Sequence, residues 1–522
     1  MNLLKAITTV GGFTMLSRVF GFVRDMLIAN FLGAGMVADA FVVAFRLPNL
    51  FRRLFAEGAF AAAFVPLFAR ELESGDGDRA AAQARARVFA DEAMTLLALV
   101  LVAFVAVMEL IMPWAMVVLA GGFEAVPGKM ELATELSRIA FPYLLFISLV
   151  SLQSGVLNSL GQFAAAAAAP VLLNLTLIAA LLGLTGHVET PGHALAWGVF
   201  AAGAAQFAWL AWFCRRQGFP LRLVRPRWTE KVAVLIKRIL PVVFGASLYQ
   251  VNLLIGTVLA TYVSDGAVSY LYYADRVTQL PLGVVGVAVG TALLPLLARQ
   301  LKAGNDAAAR NSQNRGLEFA LLLTLPAAAA CLVIPDEIIR VLFERGAFGA
   351  EATAATAAAL FAYATGLPAY VLIRVLAPGF YAREDTSTPV RAAIAAMAVN
   401  IVLMLVLMKP LGHVGIALAA SVSAWLNTLL LAVVLVRRGH FALDARLRAR
   451  LPRILLATAG MVGVLEVARQ NLGLLMTGTT AQQVAGLVLL VALGLAAFTA
   501  LALVLRAAGL KDAKSMLRAK DL

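Results

Sequence analysis

Apolar residues run through this chain in blocks much longer than the buried face of a soluble helix requires. The blocks fall at 5–32, 37–69, 88–119, 134–160, 165–186 and 194–214. They resume at 236–262, 267–298, 316–335, 353–381, 389–408 and 413–436, and end with 452–468 and 483–506. About twenty helical residues, rising ~1.5 Å each, cross the ~30 Å hydrocarbon core of a bilayer. The fourteen runs therefore predict an all-α polytopic membrane protein with about fourteen transmembrane helices. The second, eighth and tenth exceed what a bilayer needs and hold internal Pro or Gly, which predicts bends there.

The polar connections alternate in charge. One set is strongly basic: Arg70 to Arg87, Arg215 to Lys231, Arg299 to Arg315, Arg437 to Arg450, and a tail from Arg506 to Lys520. The other is sparse or mixed, with Glu124, Lys129, Glu131, Glu189, Asp265 and the stretch from Asp336 to Arg345. Basic loops stay on the cytoplasmic side, so both termini of this multi-pass membrane protein are expected in the cytoplasm. The first helix reads as retained, because Arg18 and Arg24 interrupt what a cleaved signal would need.

Composition narrows the function. The chain has 522 residues, 62% of them hydrophobic, and a formal net charge of +14. That charge lies in short loops as a topology signal, so no nucleic-acid partner is expected. Cys214 and Cys331 are the only cysteines, too few for a disulfide framework or a thiolate metal site. The four histidines show no ligand spacing, so no metal and no cofactor is expected. There is no Gly-Lys phosphate loop and no nucleophile–base arrangement; the pattern is that of a transporter and not an enzyme.

An internal repeat divides the chain. Arg46 leads to Val65-Pro66-Leu-Phe-Ala-Arg70, and Arg276 leads to Leu294-Pro295-Leu-Leu-Ala-Arg299, with Arg-to-Pro intervals of 20 and 19 residues. A weaker echo pairs Gly155…Pro170 with Gly379…Pro389. The repeat predicts two six-helix lobes around a central cavity, 1–230 and 231–440, followed by two further helices and a basic tail in 441–522. An even number of spans per half keeps both halves in the same orientation.

The most informative residues are charges inside the spans. Arg18, Arg24, Asp25, Asp39, Arg46, Arg52, Arg53 and Glu57 sit in the first two runs, and Asp275, Arg276 and Arg374 in the second half. Each costs roughly 2.5–3.5 kcal/mol at mid-bilayer unless it faces something polar. Asp39, Arg46 and Arg53 are spaced by sevens, with Asn49 three residues past Arg46; Arg18 and Asp25 share a stripe, as do Ser17 and Arg24. Arg53 and Glu57 are four apart and can pair. These eleven charges comprise seven arginines and four acids, a net of +3. Guanidinium groups stay charged and present a planar fork suited to phosphate oxygens. The set predicts an anion-binding interior in which Arg18, Arg24, Arg46, Asn49, Arg52, Arg276 and Arg374 meet the substrate. Ser17, Asp25, Asp39, Arg53, Glu57 and Asp275 would form a charge network that holds or gates them. The alternative reading is that these charges pair internally and only support helix contacts.

Ser17-Arg18-Val-Phe-Gly21-Phe-Val-Arg24-Asp25, Gly33-Ala-Gly35…Asp39-Ala-Phe41 and Arg46-Leu-Pro48-Asn49-Leu-Phe-Arg52-Arg53…Glu57-Gly58 together resemble the MurJ (MviN) lipid II flippase family. Tyr273-Ala-Asp275-Arg276 and Ala377-Pro378-Gly379-Phe380-Tyr381 extend the resemblance over the whole chain. It implies the multidrug/oligosaccharidyl-lipid/polysaccharide exporter (MOP) fold, with the last two helices forming a groove for a lipid tail. It further implies that Arg18, Arg24, Arg52 and Arg276 bind the diphosphate of lipid II, that Asp39 matters, and that transport serves peptidoglycan synthesis and cell shape. Arg46 stands where some relatives have lysine. Some relatives hold sodium with a carboxylate in the seventh helix; 248–263 contains no acid, only Asn252, so that site is not carried over. Coupling to membrane potential or to a monovalent ion stays open. The chain is expected to be monomeric, with cell-wall synthesis enzymes as candidate partners. Rival readings are a flippase for another polyprenyl-diphosphate oligosaccharide of O-antigen or capsule type, a multidrug exporter, and a non-transporting scaffold; a basic interior disfavours the exporter of cations.

Overall fold

A computed structural model describes residues 3–52, 60–73 and 78–509. Among these residues the regular structure is entirely helical. In chain order the helices are α1 (Leu3–Leu32), α2 (Met36–Phe51), α3 (Phe60–Glu73), α4 (Arg79–Ala120), α5 (Lys129–Ala140), α6 (Tyr143–Ser159), α7 (Phe163–Leu184), α8 (Pro191–Arg216) and α9 (Glu230–Thr261). There follow α10 (Ala267–Lys302), α11 (Asp306–Val333), α12 (Pro335–Phe343), α13 (Ala350–Tyr381), α14 (Ser387–Arg437), α15 (Ala445–Asn471), α16 (Gly473–Met476) and α17 (Thr480–Val504).

Local chemistry sets many of the boundaries. Asp78 accepts from the amides of Ala80 and Ala81 and starts α4. Thr190 followed by Pro191 starts α8, and Asp444, accepting from Leu447 N at 2.7 Å, starts α15. A Thr479–Gln482 capping box opens α17. Among the described residues, nine helical stretches are long and apolar enough to cross a membrane. Large apolar side chains on them face outward, as Leu110, Trp114 and Val118 do on α4 and Val488, Leu495 and Val504 do on α17. In water such a surface would aggregate; in lipid it is the solvated face.

The runs at 389–408 and 413–436 fall within α14, 51 residues long. At ~1.5 Å per residue a straight helix of that length would far exceed a bilayer. It is not straight: Gly412 adopts φ 58°, ψ −137°, and a Cβ on Gly415 would strike the carbonyl of Leu407. Residues eight apart in a continuous helix cannot touch, so the chain reverses at Pro410-Leu-Gly412 and α14 is a pair of spans folded together. By contrast α1 carries Arg18, Arg24 and Asp25, which keep it out of the apolar set.

The chain separates into two compact units. One comprises Met1–Ser269 with Arg345–Phe348; the other comprises Tyr270–Glu344 with Gly349–Leu522. In the first unit Phe64, Phe68 and Phe89 stack with Leu152, Val156 and Phe219 into a core joining α3, α4 and α6. Its short segment at 345–348 is held to α1 by the Ala347 amide donating to Asn30 O at 2.9 Å. There Gly33 (φ +64°) and Gly346 (φ +55°) allow a backbone approach that no side chain would permit. In the second unit Leu293, Leu317, Val375, Phe380 and Leu435 form the core between α10, α11, α13 and α14. Gly366 lets α13 lie against Ser421, whose hydroxyl donates to Ala362 O at 2.8 Å. Ile454, Met461, Leu465, Phe498 and Ala502 zip α15 to α17, and partly buried residues of α11 pack against them.

Candidate functional site

Among the α1 side chains whose burial is described, full burial begins at Arg24, so depth along the helix, more than the seven-residue stripe, decides the surroundings of its charges. Arg18 is exposed, whereas Arg24 and Asp25 are buried. Arg24 holds Asp25 through Nη2 at 2.6 Å and Nε at 3.0 Å, and its Nη1 donates to Asn174 Oδ1 on α7 at 2.8 Å. Asn174 in turn donates to Ser17 O at 2.9 Å. Gly21 lies one turn from Ser17, and a Cβ there would come within 3.4 Å of Asn174 Nδ2, so the glycine makes room for this bridge. A buried guanidinium thus has a carboxylate and an amide as partners, the condition for keeping its charge at low dielectric.

On α2, Arg46 is half-buried and donates to Leu253 O on α9 at 3.0 Å. Arg52, also half-buried, donates through Nε to Asn49 Oδ1 at 3.0 Å. Arg53 and Glu57 lie outside the described residues.

Asp39 is fully buried and is the most heavily hydrogen-bonded of the expected residues. Its carboxylate accepts from Ser269 Oγ at 2.5 Å, Ser269 N at 2.8 Å, Gly266 N at 2.8 Å and Lys129 Nζ at 2.7 Å. The two amides belong to the start of α10, where unpaired N–H groups and the helix dipole attract an anion. Asp39 therefore caps α10 from outside. Lys129, 1% exposed, also reaches Asp265 Oδ1 at 2.5 Å and sits 4.3 Å from the centre of the Phe123 ring. Sequence reasoning took Lys129 and Asp265 for loop charges. A burial signal was absent from the chain, because both flank turns and neither lies in an apolar run.

In the second unit the guanidinium of Arg276 stacks on Tyr272 at 4.7 Å, and the neighbouring Asp275 accepts from Gln279 Nε2 at 2.5 Å. Arg374 on α13 is exposed. A second cluster was not anticipated. Glu318 on α11, 7% exposed, pairs with Arg315, Arg446 and Arg450, while Arg315 also pairs with Asp444. The cluster fastens the start of α15 to α11. Arg446 and Arg450 were read as topology signals, which is compatible with this second role. In the turn after α13, Asp385 accepts from the Thr388 hydroxyl at 2.6 Å, the Thr388 amide at 2.9 Å and Arg438 at 2.6 Å. These bonds hold its carboxyl well below the usual carboxylate range.

The arrangement offers a first unit with buried and half-buried arginines on α1 and α2, each with a polar partner that an incoming anion could replace. A purely apolar groove lies between α1, α7 and α8, lined by Phe13, Ala165, Ala168, Trp209 and Phe213, and has no chemistry for a charged group.

Comparison with known proteins agrees with the residue pattern. Residues 28–500 match the family described as "Lipid II flippase MurJ". A Rhizobium meliloti protein named "Probable lipid II flippase MurJ" is 48% identical over 474 residues, covering 90% of this chain and 87% of that protein. The "Lipid II flippase MurJ" of Burkholderia cenocepacia is 39% identical over 453 residues, covering 84% and 85%. Among solved structures, a lipid II flippase MurJ in an inward closed conformation superposes with a TM-score of 0.77 at 23% identity, covering 95% of this chain and 98% of that one. An inward-facing MATE transporter of the MOP superfamily gives 0.66 at 13% identity, covering 83% and 98%. The two structures share the fold, and the sequence relatives carry the assignment: this chain belongs to the MurJ lipid II flippase family.

Proposed function

We propose that this protein is a multi-pass inner-membrane flippase that moves lipid II, the undecaprenyl-diphosphate-linked peptidoglycan precursor, from the cytoplasmic to the periplasmic leaflet by alternating access. Both termini are cytoplasmic in this reading. The observation that carries it is membership of this family together with arginines set within the helical stretches α1, α2, α10 and α13. Arg18, Arg24, Arg52 and Arg276 bind the diphosphate, with Arg46, Asn49 and Arg374 contributing. The polyprenyl tail stays in lipid along α15 and α17.

The hydrogen-bond pattern suggests how binding can proceed without leaving a bare charge. With no substrate, Asp25 and Asn174 satisfy Arg24, and Asn49 satisfies Arg52. A diphosphate oxygen is a stronger acceptor than an amide, and charge-assisted bonds contribute roughly 1.5–3 kcal/mol each. Where a diphosphate oxygen replaces only the neutral acceptors Asn174 and Asn49, Asp25 keeps its two bonds to Arg24 and no buried charge is stripped of its partner. Asp39 acts as a latch on the first turn of α10, seven residues before Arg276, so release of that cap and movement of α10 are one event. Membrane potential, at ~2.3 kcal/mol per charge per 100 mV, is sufficient to bias outward movement of an anion.

The test is depletion–rescue in a bacterium whose own flippase is shut off, scoring lipid II that reaches the periplasmic face. Wild type should rescue, and Arg18→Ala, Arg24→Ala, Arg52→Ala and Arg276→Ala should not at matched membrane abundance. Rescue by all four variants would make the arginines structural. Failure of correctly inserted wild type would point to another polyprenyl-diphosphate oligosaccharide as substrate.

A further inference from the structure

Glu135 on α5, Glu189 in the turn before α8, and His193 in the first turn of α8 are 54 and 4 residues apart in the chain, so no linear spacing announces them. The fold brings one ligating atom from each to within 4.8 Å of the others. His193 is 5% exposed, and its buried Nε2 makes no hydrogen bond but lies 3.3 Å from Glu135 Oε1, an ion-pair distance when the ring is protonated. Its other nitrogen, Nδ1, is 2.9 Å from the Thr190 hydroxyl.

We propose that these three residues form a binding site for a divalent transition-metal ion of the Zn2+ type. When Nδ1–H donates to Thr190, Nε2 presents a lone pair toward a carboxylate oxygen, and two acceptors do not face each other across 3.3 Å without a cation between them. An acceptor behind the imidazole fixes tautomer and ring orientation in metal-ligating histidines, and the Thr190 hydroxyl oxygen would take that place here. Ligand atoms of a tetrahedral zinc with bonds of about 2.1 Å are roughly 3.4 Å apart, so the His193–Glu135 pair already has the required separation. Glu135 and Glu189 are exposed, which gives the ion an open approach and lets their side chains close on it. One imidazole with two carboxylates and an open fourth position favours zinc over magnesium or calcium, which take oxygen-only sets. The competing arrangement puts a proton on Nε2, which then pairs with Glu135 while the Thr190 hydroxyl donates to Nδ1, and the zinc titration separates the two.

The site has a mechanical consequence. Glu135 lies six residues beyond Lys129 on α5, about 9 Å along the helix. A metal there would clamp α5 to the head of α8 and so fix the lysine that holds Asp39 and Asp265.

The test uses the purified full chain in detergent, stripped with a chelator and titrated with Zn2+ against a chromophoric indicator, with bound metal counted by mass spectrometry. The expected result is one zinc per chain, an affinity for zinc well above that for magnesium, and a thermal unfolding midpoint raised by zinc. Glu135→Gln, Glu189→Gln and His193→Ala should each weaken binding at least ~tenfold, the scale of metal-site perturbations, and abolish the midpoint shift. The two glutamine variants are at exposed positions and decide the matter if His193→Ala does not fold. No zinc above background, undiminished binding in the glutamine variants, or equal affinity for magnesium would each overturn the proposal, leaving a proton as what lies between His193 and Glu135.

Discussion

Lys129→Met is the sharpest perturbation of the first unit. It leaves an unbranched apolar side chain one atom shorter while deleting the charge that two carboxylates share, and with it the ammonium's contact with the Phe123 ring. Removing one member of a buried ion pair typically costs 3–5 kcal/mol, because the partner is left charged and unpaired. Two features discount that range here. Asp39 keeps three donors, from Ser269 Oγ, Ser269 N and Gly266 N. Asp265 is 48% exposed and regains water. The expected loss is therefore about 3 kcal/mol, the lower end of the range. At roughly 2–4 °C per kcal/mol this lowers the unfolding midpoint by ~6–12 °C, read by tryptophan fluorescence of the purified protein in detergent. Asp39→Asn alone and with Lys129→Met completes a double-mutant cycle. Groups that act as a pair couple by roughly 0.5–3 kcal/mol. A midpoint shift under ~2 °C, less than 1 kcal/mol on that scale, would refute the reasoning. So would strict additivity of the two substitutions, which would mean that Lys129 and Asp39 are neighbours without being an energetic unit.

Two further expectations concern the second unit. Glu318→Gln leaves Arg315, Arg446 and Arg450 facing one another around a neutral amide, and should destabilise by about 3 kcal/mol while exposing the 438–444 connection to limited proteolysis; unchanged proteolysis and midpoint would show the cluster to be solvated decoration. Asp385 has a depressed folded pKa, so its stabilisation is fully present above the ordinary carboxylate value of 3.8 and fades as pH falls below it. Asp385→Asn should cost about 1 kcal/mol at neutral pH, the usual worth of a side-chain cap at a helix start. The gap from wild type should begin to narrow below about pH 4 and go on narrowing as the pH falls further; a gap that does not narrow in acid would assign the effect to packing.

What the sequence made legible follows from how each signal is written in the chain. Span positions depend on run length alone, a local property, so the runs at 165–186, 194–214 and 483–506 reappear as α7, α8 and α17 with small shifts. The run at 413–436 is joined to its predecessor because the break between them is a single glycine, Gly412, in the left-handed region; hydropathy registers the interruption at Lys409-Pro410 but not how the chain reverses. Arg24 and Asp25 were legible as costly charges in an apolar run. Asn174 was not, because one amide in a run of Leu and Ala lowers hydropathy little, yet it is the residue that joins α7 to Arg24 and Ser17.

Lys129 shows why a charge rule that works on average misleads at particular positions. Counting lysines and arginines by loop gives orientation because most of them are solvated, and solvated charges are interchangeable. A lysine 1% exposed between two acids is not interchangeable with anything: its energy depends on Asp39, 90 residues earlier, and Asp265, 136 residues later. Glu135, Glu189 and His193 are hidden for the same reason, since their meeting is a property of how α5 and α8 pack. The membrane removes water as a general partner, so each buried charge must find a specific one, and in a helical bundle that partner is nearly always distant in sequence. Arg24–Asp25 and Arg315–Glu318 are local pairs, yet the seven-residue stripe set Asp25 with Arg18 and not with its neighbour Arg24. Motifs of this family at 17–25 and 39–57 therefore mark where charge is placed, while the polar residues scattered among other helices (Asn174, Lys129, Ser269) determine what that charge is held by before a substrate arrives.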